Sequence, residues 1–395
     1  MITPRAAAHA ERLPAGELPA YLYDLAALDE HAERVRAALP PDVELYYAAK
    51  ANPAPEILRA LAPHVSGYEV SSGGELAHVR RAVPGLPLAF GGPGKTEDEL
   101  RFALDLGVER LHVESENELR MLARLAAGRP GAAPPVDVLL RVNLPVGDGD
   151  LGGAALAMGG RPSPFGLDPR RAEACVPLLG SGLRLRGVHA HLASGLDAPA
   201  QLALAARITA WAREFGDRHG LGAMEVNVGG GMAVDYARPH TRFDWAGYGQ
   251  GLGTLRERHP DVTLRIEPGR SMTVHAGWYV TEVLDVKHSH GEAFAVLRGG
   301  THHMRTPAAK GHDHPFTVLP VQDWDRPWPR PAALDEPVTL TGQLCTPKDT
   351  LAARVPVAEL RVGDRVAFSM AGAYAWNISH HAFLMHPAPS FHFLS

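Results

Sequence analysis

The chain has 395 residues, of which 45% are hydrophobic and 21% are charged, and its formal net charge is −5. This is the composition of a globular protein long enough for two domains, and the mild acidity argues against a nucleic-acid-binding surface. Two cysteines, Cys175 and Cys345, are too few for a disulfide framework, and we find neither an apolar leader nor a membrane-spanning run. We therefore expect a cytoplasmic protein.

Between about residues 43 and 268, short apolar segments alternate with amphipathic ones. We predict eight strands, which span Glu44–Ala49, Gly67–Val70, Pro87–Phe90, Arg110–Val113, Val136–Val142, Leu183–His191, Glu225–Val228 and Val262–Ile266. Helical patterns lie between most of them, and capping residues such as Thr96 and Ser115 precede some of these helices. Eight alternating units favour a closed (β/α)8 barrel over residues 27–270, with a doubly wound open sheet as the alternative.

The pattern changes after Arg270, where short β-rich segments are separated by glycine and proline turns. We predict strands over Trp278–Val286, Ala293–Leu297, Pro337–Thr341 and Arg365–Ser369. The segment Tyr21–Leu25 precedes the barrel and is expected to add a strand to this second, all-β domain, which would comprise residues 1–26 and 271–395. Residues 301–335 are rich in histidine, proline and tryptophan, and we predict an irregular loop there.

Unusual residues follow four of the predicted barrel strands, at the end where barrels carry their chemistry. Lys50 closes the first strand, where its ammonium either reaches the surface or forms a Schiff base. His191 ends the sixth strand, Gly229–Gly231 follows the seventh, and Glu267 and Arg270 follow the eighth. Because these positions would meet on one face of the barrel, they predict an active site.

The residue types alone leave several roles open. Gly229–Gly231 suits either a phosphate-binding loop or a flexible turn, and Arg270 suits either a phosphate or a surface ion pair. Glu267 could be a base, a metal ligand, the partner of a cationic heterocycle or a solvated rim charge. His189 and His191 alternate along a strand and would suit a metal pair. The cluster of His302, His303, His312 and His314 raises the same question, but no cysteine or carboxylate spacing completes a zinc site. We therefore expect no metal.

An ordered series of motifs resembles the fold-type III pyridoxal-phosphate (PLP) decarboxylases, which include diaminopimelate and ornithine decarboxylases. The series covers nearly the whole chain and runs Tyr-Ala-Ala-Lys-Ala-Asn (47–52), Gly-Tyr-Glu-Val-Ser-Ser-Gly-Gly-Glu-Leu (67–76), Phe-Gly (165–166), His-Ala-His-Leu-Ala-Ser-Gly (189–195), Gly-Gly-Gly (229–231), Glu-Pro-Gly-Arg (267–270), Cys345 to Asp349, and Gly-Ala-Tyr (372–374). The resemblance implies a PLP-binding (β/α)8 barrel with a C-terminal all-β domain, the architecture of alanine racemase.

The resemblance also implies roles for individual residues. Lys50 would form the Schiff base with PLP, Glu267 would keep the pyridine nitrogen protonated, and His191 would stack on the ring. The remaining cofactor contacts would come from Glu69, Ser194, Gly229, Gly230, Gly231, Arg270 and Tyr374. Cys345 would come from the partner subunit of a homodimer as the acid that protonates the product. A barrel racemase typically has arginine in place of Glu267, so the glutamate favours decarboxylation.

The predicted substrate-facing residues are Arg305, His303, Thr346, Asp349 and Tyr374. Relatives that take basic amino acids have an acidic residue after the cysteine, whereas this chain has Thr346 and, nearby, Lys348. Further basic candidates are His302, Lys310, His312, His380 and His381. This pattern resembles the decarboxylases of carboxylate siderophore assembly, which act on citryl-linked amino acids such as citryl-diaminopropionate or citryl-serine. The alternatives are a free amino acid decarboxylase, above all one for diaminopimelate, and a non-catalytic relative that regulates a partner.

Overall fold

The computed structural model describes residues 2–130, 133–146 and 156–395. Its strands, in chain order, are β1 (Ala20–Asp24), β2 (Glu44–Ala48), β3 (Gly67–Val70), β4 (Leu88–Phe90), β5 (Arg110–Val113), β6 (Val136–Arg141), β7 (Leu156–Ala157), β8 (Leu183–His189), β9 (Ala193–Ser194), β10 (Met224–Asn227), β11 (Val262–Ile266), β12 (Gly277–Ser289), β13 (Glu292–Leu297), β14 (Phe316–Leu319), β15 (Ala332–Thr341), β16 (Thr350–Arg361), β17 (Arg365–Phe368) and β18 (Ser390–Leu394).

The helices of the described residues lie mostly between the strands of the first two thirds of the chain. They are α1 (Pro4–Arg12), α2 (Leu25–Ala38), α3 (Pro55–Leu61), α4 (Gly73–Ala82), α5 (Glu97–Asp105), α6 (Glu116–Ala127), α7 (Pro169–Cys175), α8 (Ala198–His219), α9 (Trp245–Arg258), α10 (Arg270–Thr273) and α11 (Thr306–Lys310). Thr96 and Ser115 cap α5 and α6 through their side-chain oxygens, as predicted. Among these helices none is both long enough and apolar enough to cross a membrane.

One compact unit, residues 30–234 and 243–272, contains a closed barrel. Its strands are neighbours in the order β10-β11-β2-β3-β4-β5-β6-β8, and the ladder closes between β8 and β10. All eight pairings are parallel, so the predicted closed barrel is confirmed over the open sheet. β8 ends at His189, two residues before the predicted end, so His191 lies in the loop that follows.

Buried ion pairs link strands near the amino end of the barrel. Arg110 at the start of β5 donates to Glu225 of β10, with the guanidinium Nε 2.6 Å from Oε2. Arg265 of β11 lies 2.6 Å from the carboxylate of Glu44, and its guanidinium covers the ring of Tyr46 at 4.0 Å. Buried charges are tolerated when they are paired and hydrogen-bonded, as the guanidinium groups of Arg110 and Arg265 are here.

The second compact unit comprises residues 1–29, 235–242 and 273–395 and is built on a mainly antiparallel sheet. The sheet order is β14-β17-β12-β13-β15-β16, and β1 pairs with β12 and β18. The strand predicted over Tyr21–Leu25 is therefore present as β1. Ala20 and Leu22 of this strand pack in a hydrophobic core with Trp278 and Val280.

Residues 301–335 are not wholly irregular, so that prediction was wrong. They contain helix α11 and strand β14, and strand β15 begins within them at Ala332. Strand β14 has only four residues and pairs with β17 alone, so its sequence carries little alternation. Strands β16 and β18 were also missed, since charged residues and a proline interrupt the apolar pattern of β16.

Candidate active site

Lys50 lies at the carboxyl end of the first barrel strand, in the short helical turn Ala49–Ala51. Its ammonium donates to the carboxylate of Glu69, a residue of the neighbouring strand β3. The same ammonium lies 3.3 Å from the hydroxyl oxygen of Ser71. The lysine side chain is 44% exposed, whereas the Glu69 side chain is 6% exposed. Burial opposes the charge of Glu69, but Lys50 and Ser71 hold the pKa of this carboxyl below its usual value. The lysine is therefore accessible and charge-compensated.

Glu267 follows the last barrel strand, β11, and its carboxylate is buried. The amide of Asn227 donates to Oε1 of Glu267 at 2.6 Å. Burial, with a further contribution from the charge of Glu69, raises the pKa of Glu267 to about 7. A cationic heterocycle at this carboxylate would favour its ionised form, because an opposite charge lowers the pKa of an acid.

His191 presents a neutral imidazole in the loop after β8. Its Nδ1 accepts a hydrogen bond from the amide of Gly230 at 3.2 Å, and its Nε2 lies 3.5 Å from the hydroxyl of Ser194. Burial lowers the pKa of His191 to about 3, so the ring is uncharged at neutral pH. His189 instead lies beside His112 and Glu267, with its Nε2 3.7 Å from Oε2 of the glutamate. The two histidines are therefore not placed as the pair that their alternation suggests.

The run Gly229–Gly231 packs against the connections that follow β8 and β11. The amide of Gly229 donates to Asn227 at 2.9 Å, and the amide of Gly230 donates to His191. A Cβ at Gly230 would overlap the carbonyl oxygen of Glu267, and a Cβ at Gly231 would overlap a backbone carbonyl oxygen after β8. The close approach of backbones therefore requires glycine here, whatever ligand the loop binds.

Gly231→Ala tests this loop directly. Gly231 has a φ of +91°, and an added Cβ would meet the carbonyl oxygen of Ala193. We expect the apparent PLP association constant, measured by fluorescence titration, to fall about tenfold or more. Gly253→Ala is the control, because Gly253 lies within α9 and its Cβ would meet only Pro40 Cγ, at 3.7 Å. We expect that change to leave PLP affinity unaltered; equal losses in both variants would contradict the assignment.

Several side chains of the barrel site escaped the sequence analysis. Arg141, at the end of β6, donates to Glu114 at 2.7 Å, and Glu114 also accepts the amide of Gly166 at 3.2 Å. Asn227 links Glu267 to the glycine loop, and His112 of β5 lies against His189. All of these are polar residues at or near the carboxyl end of a barrel strand, which is the signal that could have identified them.

In the β-rich unit, Cys345 lies in an exposed loop between β15 and β16. Thr346 is half-buried and Lys348 is exposed. Asp349 is 1% exposed, and its carboxylate accepts hydrogen bonds from the amide and hydroxyl of Thr301 and from the amide of Leu344, at 2.6, 2.8 and 2.8 Å. The structure therefore does not present Asp349 as substrate-facing; the carboxylate fastens the Cys345 loop to residues 299–306.

His303 is also directed inward, contrary to its predicted contact with substrate. Its Nδ1 lies 3.0 Å from the hydroxyl of Tyr279, its Nε2 lies 3.0 Å from the carbonyl oxygen of Pro387, and the ring is buried. Arg305 is exposed, and its amide donates to the Ser379 hydroxyl at 2.9 Å. Tyr374 is half-buried with a φ of +49°. Arg305 and Tyr374 thus remain accessible from this unit.

The barrel residues fit PLP in their chemistry. An accessible amine, a buried carboxylate, a flat neutral imidazole and a glycine loop stand together at the carboxyl ends of the strands: Lys50, Glu267, His191 and Gly229–Gly231. The bond from Gly230 to His191 joins the glycine loop to the imidazole. These groups match an aldehyde, a pyridine nitrogen, an aromatic face and a phosphate respectively.

Comparisons with known proteins agree with this chemistry. Residues 25–274 match the family described as pyridoxal-dependent decarboxylase, pyridoxal binding domain. The 2-[(L-alanin-3-ylcarbamoyl)methyl]-2-hydroxybutanedioate decarboxylase of Staphylococcus aureus is 38% identical over 380 residues, 95% of this chain and 94% of the relative. The L-glutamyl-[BtrI acyl-carrier protein] decarboxylase of Niallia circulans is 31% identical over 94% of this chain and 88% of the relative.

A solved structure is similar over nearly the whole chain. Diaminopimelate decarboxylase from Helicobacter pylori, complexed with L-lysine, is 25% identical and superposes with a TM-score of 0.81 over 95% of this chain and 91% of that one. Its fold agrees with the barrel and the β-rich sheet described above. Together with the family match over residues 25–274, these similarities show that the chain is a PLP-dependent carboxy-lyase of the pyridoxal-dependent decarboxylase family.

Proposed function

We propose that this enzyme removes the α-carboxylate from an amino acid unit joined to a citryl group, as a step of carboxylate siderophore biosynthesis. The name of the Staphylococcus aureus relative describes such a molecule, in which citrate is joined through an amide to 2,3-diaminopropionate. The Niallia circulans relative also acts, by its name, on an acylated amino acid rather than a free one. Citryl-serine is a second substrate of the same chemical class.

The observation that carries this proposal is the basic composition of three loops in the β-rich unit that are joined by hydrogen bonds. The loop of residues 342–349 places Thr346 and Lys348 beside Cys345 and has no acid that faces outward there, since Asp349 is buried. The backbone N–H of Gln343 donates to the carbonyl oxygen of Gly299 at 2.7 Å, and this bond joins the loop to residues 299–306.

The third loop, residues 374–381, carries further basic side chains. Residues 374–381 are tied to residues 299–306 by the bond from Arg305 to Ser379 and by a hydrogen bond of 2.6 Å from Thr306 to the carbonyl oxygen of Tyr374. The exposed side chains on the three loops include Arg305, Lys348, His380 and His381. Citryl carboxylates are better matched by these groups than is the distal ammonium of a basic amino acid.

In this proposal, the residues of the chain bind, orient and move protons. Bound PLP supplies the electron sink for the pair left when carbon dioxide departs. Lys50 would hold the aldehyde carbon, Glu267 would keep a proton on the ring nitrogen, and His191 would support the ring face. Glu69, Ser194, Gly229–Gly231, Arg270 and Tyr374 would complete the cofactor contacts. The thiol of Cys345 would then deliver a proton to the α-carbon, giving the amine.

We further propose that residues 27–270 form the PLP-binding domain and that residues 1–26 and 271–395 complete the active site of the other subunit in a homodimer. Cys345 supports this idea, because it is an exposed thiol in an exposed loop of the β-rich unit. A cytoplasmic location belongs to the same proposal, since both cysteines are free thiols, as expected in a reducing compartment.

Carbon dioxide release tests the proposal. The PLP-loaded enzyme is offered citryl-diaminopropionate, citryl-serine, meso-diaminopimelate, ornithine and lysine in parallel. We expect turnover to be confined to a citryl conjugate. Preference for meso-diaminopimelate would overturn the proposal in favour of the alternative, a diaminopimelate decarboxylase like the Helicobacter pylori protein of similar fold.

Substitutions on the loops test the anionic substrate separately. We expect Arg305→Ala to raise KM for the citryl conjugate about tenfold, through loss of a charge-assisted hydrogen bond. Thr346→Glu should lower kcat/KM to a similar extent, because the new carboxylate repels the citryl group. Arg326→Ala is the matched control, since this arginine is exposed in the connection between β14 and β15. An increase in turnover with Thr346→Glu would contradict an anionic substrate.

A further inference from the structure

Two buried histidines in the barrel have no role in the chemistry above. His112 of β5 and His189 of β8 face each other with ring centroids 4.4 Å apart and an interplanar angle of 45°. They are 0% and 4% exposed, and none of their four ring nitrogens has a hydrogen-bond partner among the described residues. Buried polar groups are usually paired, so two adjacent unpaired imidazoles call for a functional explanation.

One of these nitrogens from each ring, Nε2, lies close to the same carboxylate. Nε2 of His189 lies 3.7 Å from Oε2 of Glu267, and Nε2 of His112 lies 3.9 Å from Oε1. One polar atom from each of the three side chains lies within 4.8 Å of the other two. Asn227 already donates to Oε1 at 2.6 Å. A shift of about 1 Å would therefore bring both imidazoles within hydrogen-bond distance of the carboxylate.

The charge state of the two rings suits them as donors. Burial lowers the pKa values of His112 and His189 well below the usual range, so both are neutral. A neutral imidazole carries one N–H donor, which stabilises a nearby carboxylate without adding a second buried charge. The charged groups that face this cluster, counting those around both rings and the carboxylate, are Lys50, Glu69, Lys95, Arg141 and Arg265, together with the imidazole of His191.

We propose that His112 and His189 are positioning residues that, together with Asn227, form a donor set for Glu267 and keep its carboxylate ionised and aimed at the cofactor ring. The proposal rests on the role given to Glu267 under the proposed function. The two imidazoles do not touch the ring nitrogen themselves. They set the pH range over which the carboxylate is ready to pair with a pyridinium, and hence the pH range of PLP binding.

Paired substitutions separate donation from packing. Phenylalanine at either position fills the space of the ring and removes the donor. Glutamine places an amide nitrogen near the position of the imidazole Nε2 and so restores a donor. His9→Phe is the control, because His9 also has a buried Nε2 without a partner among the described residues but lies on α1, in the β-rich unit.

The readout is the PLP association constant of the cofactor-free protein, measured by fluorescence from about pH 5 to about pH 9 in buffers with EDTA. A donor to a carboxylate lowers its pKa, so loss of the donor raises it, and PLP binding should weaken from a higher pH on acidification. We expect His112→Phe and His189→Phe to move this midpoint upward by about one pH unit. His112→Gln and His189→Gln should stay close to the wild-type profile, as should His9→Phe.

Two results would overturn the proposal. One is a wild-type profile in both phenylalanine variants; the other is a shift in the glutamine variants as large as in the phenylalanine variants, which would indicate packing alone. Melting temperatures check that each variant folds, and methionine, which adapts to irregular space, replaces phenylalanine where it does not. The assay uses no substrate, so a wild-type protein that fails to bind PLP would refute the proposed function, whereas unchanged profiles in PLP-binding variants would refute only this inference.

Discussion

Replacing Lys50 with alanine should lower decarboxylation by about 10⁴-fold or more and abolish covalent retention of PLP. The amine is accessible and charge-compensated by Glu69, and Ser71 lies beside it. Lys95 also follows a barrel strand, β4, but its side chain is 1% exposed and its ammonium is paired with Glu118 at 2.7 Å, so it is not accessible in the same way. The measurement is carbon dioxide release, together with the mass of the Lys50 peptide after borohydride reduction of the loaded enzyme.

Two controls make the Lys50 experiment specific. Lys50→Arg keeps the positive charge beside Glu69 but lacks a primary amine, so it should be as inactive as the alanine variant while folding normally. Lys287→Ala removes an exposed lysine from β12 and should leave turnover unchanged. An alanine variant that keeps a covalently bound cofactor and near-normal turnover would remove Lys50 from the site.

Asp349→Ala should destabilise the β-rich unit and disable the enzyme together. The substitution leaves three buried donors unpaired, two of them on Thr301 and one on Leu344. We expect the free energy of unfolding to fall by about 3 kcal/mol, because each buried donor without a partner costs roughly 1–3 kcal/mol and the loops relax in part. Turnover should fall as well, because the same carboxylate holds the loop of Cys345. Denaturant titration and carbon dioxide release measure the two effects.

Asp325→Ala is the matched control, since that carboxylate is 97% exposed. It should change the free energy of unfolding by less than about 0.5 kcal/mol. Asp349→Glu is a stricter comparison: the carboxylate is confined by Gly300, where an added Cβ would lie 2.6 Å from both of its oxygens, so a longer side chain has no room. If Asp349→Ala unfolded at the wild-type denaturant concentration, the carboxylate would not be fastening the loop.

Much of the fold could be predicted from sequence, because the barrel strands are buried on both faces and read as separate apolar runs. The predicted Arg110–Val113 and Val262–Ile266 coincide with β5 and β11. The edges of the β-rich sheet could not be predicted in the same way. Strand β16 is held mainly by its long ladder with β15, and such cross-strand pairing leaves little trace in a single strand's composition.

The site was predictable in its outline and not in its supporting contacts. Lys50 and Glu267 were singled out because a charged residue at the end of an apolar strand is unusual, and the structure places both at the carboxyl ends of barrel strands. Asn227 and His112 were missed because an uncharged polar residue within or at the end of a strand cannot be told, from sequence, from a satisfied core residue. Asp349 was misjudged because the direction of its carboxylate depends on contacts with Thr301, distant in sequence.

The segment Asp235–Arg242 carries a practical consequence for dividing this protein. In sequence this segment lies between β10 and α9 of the barrel unit, but in the fold it belongs to the β-rich unit. There the ring of Tyr236 stacks on His312, with ring centroids 4.5 Å apart, and lies 5.3 Å from the ring of His314. A fragment of residues 27–270 would keep this segment but lose both of its aromatic partners. Cutting the chain at residues 27 and 270 would thus remove the contacts that hold residues 235–242 in place. Limited proteolysis of such a fragment should therefore cut first near Tyr236.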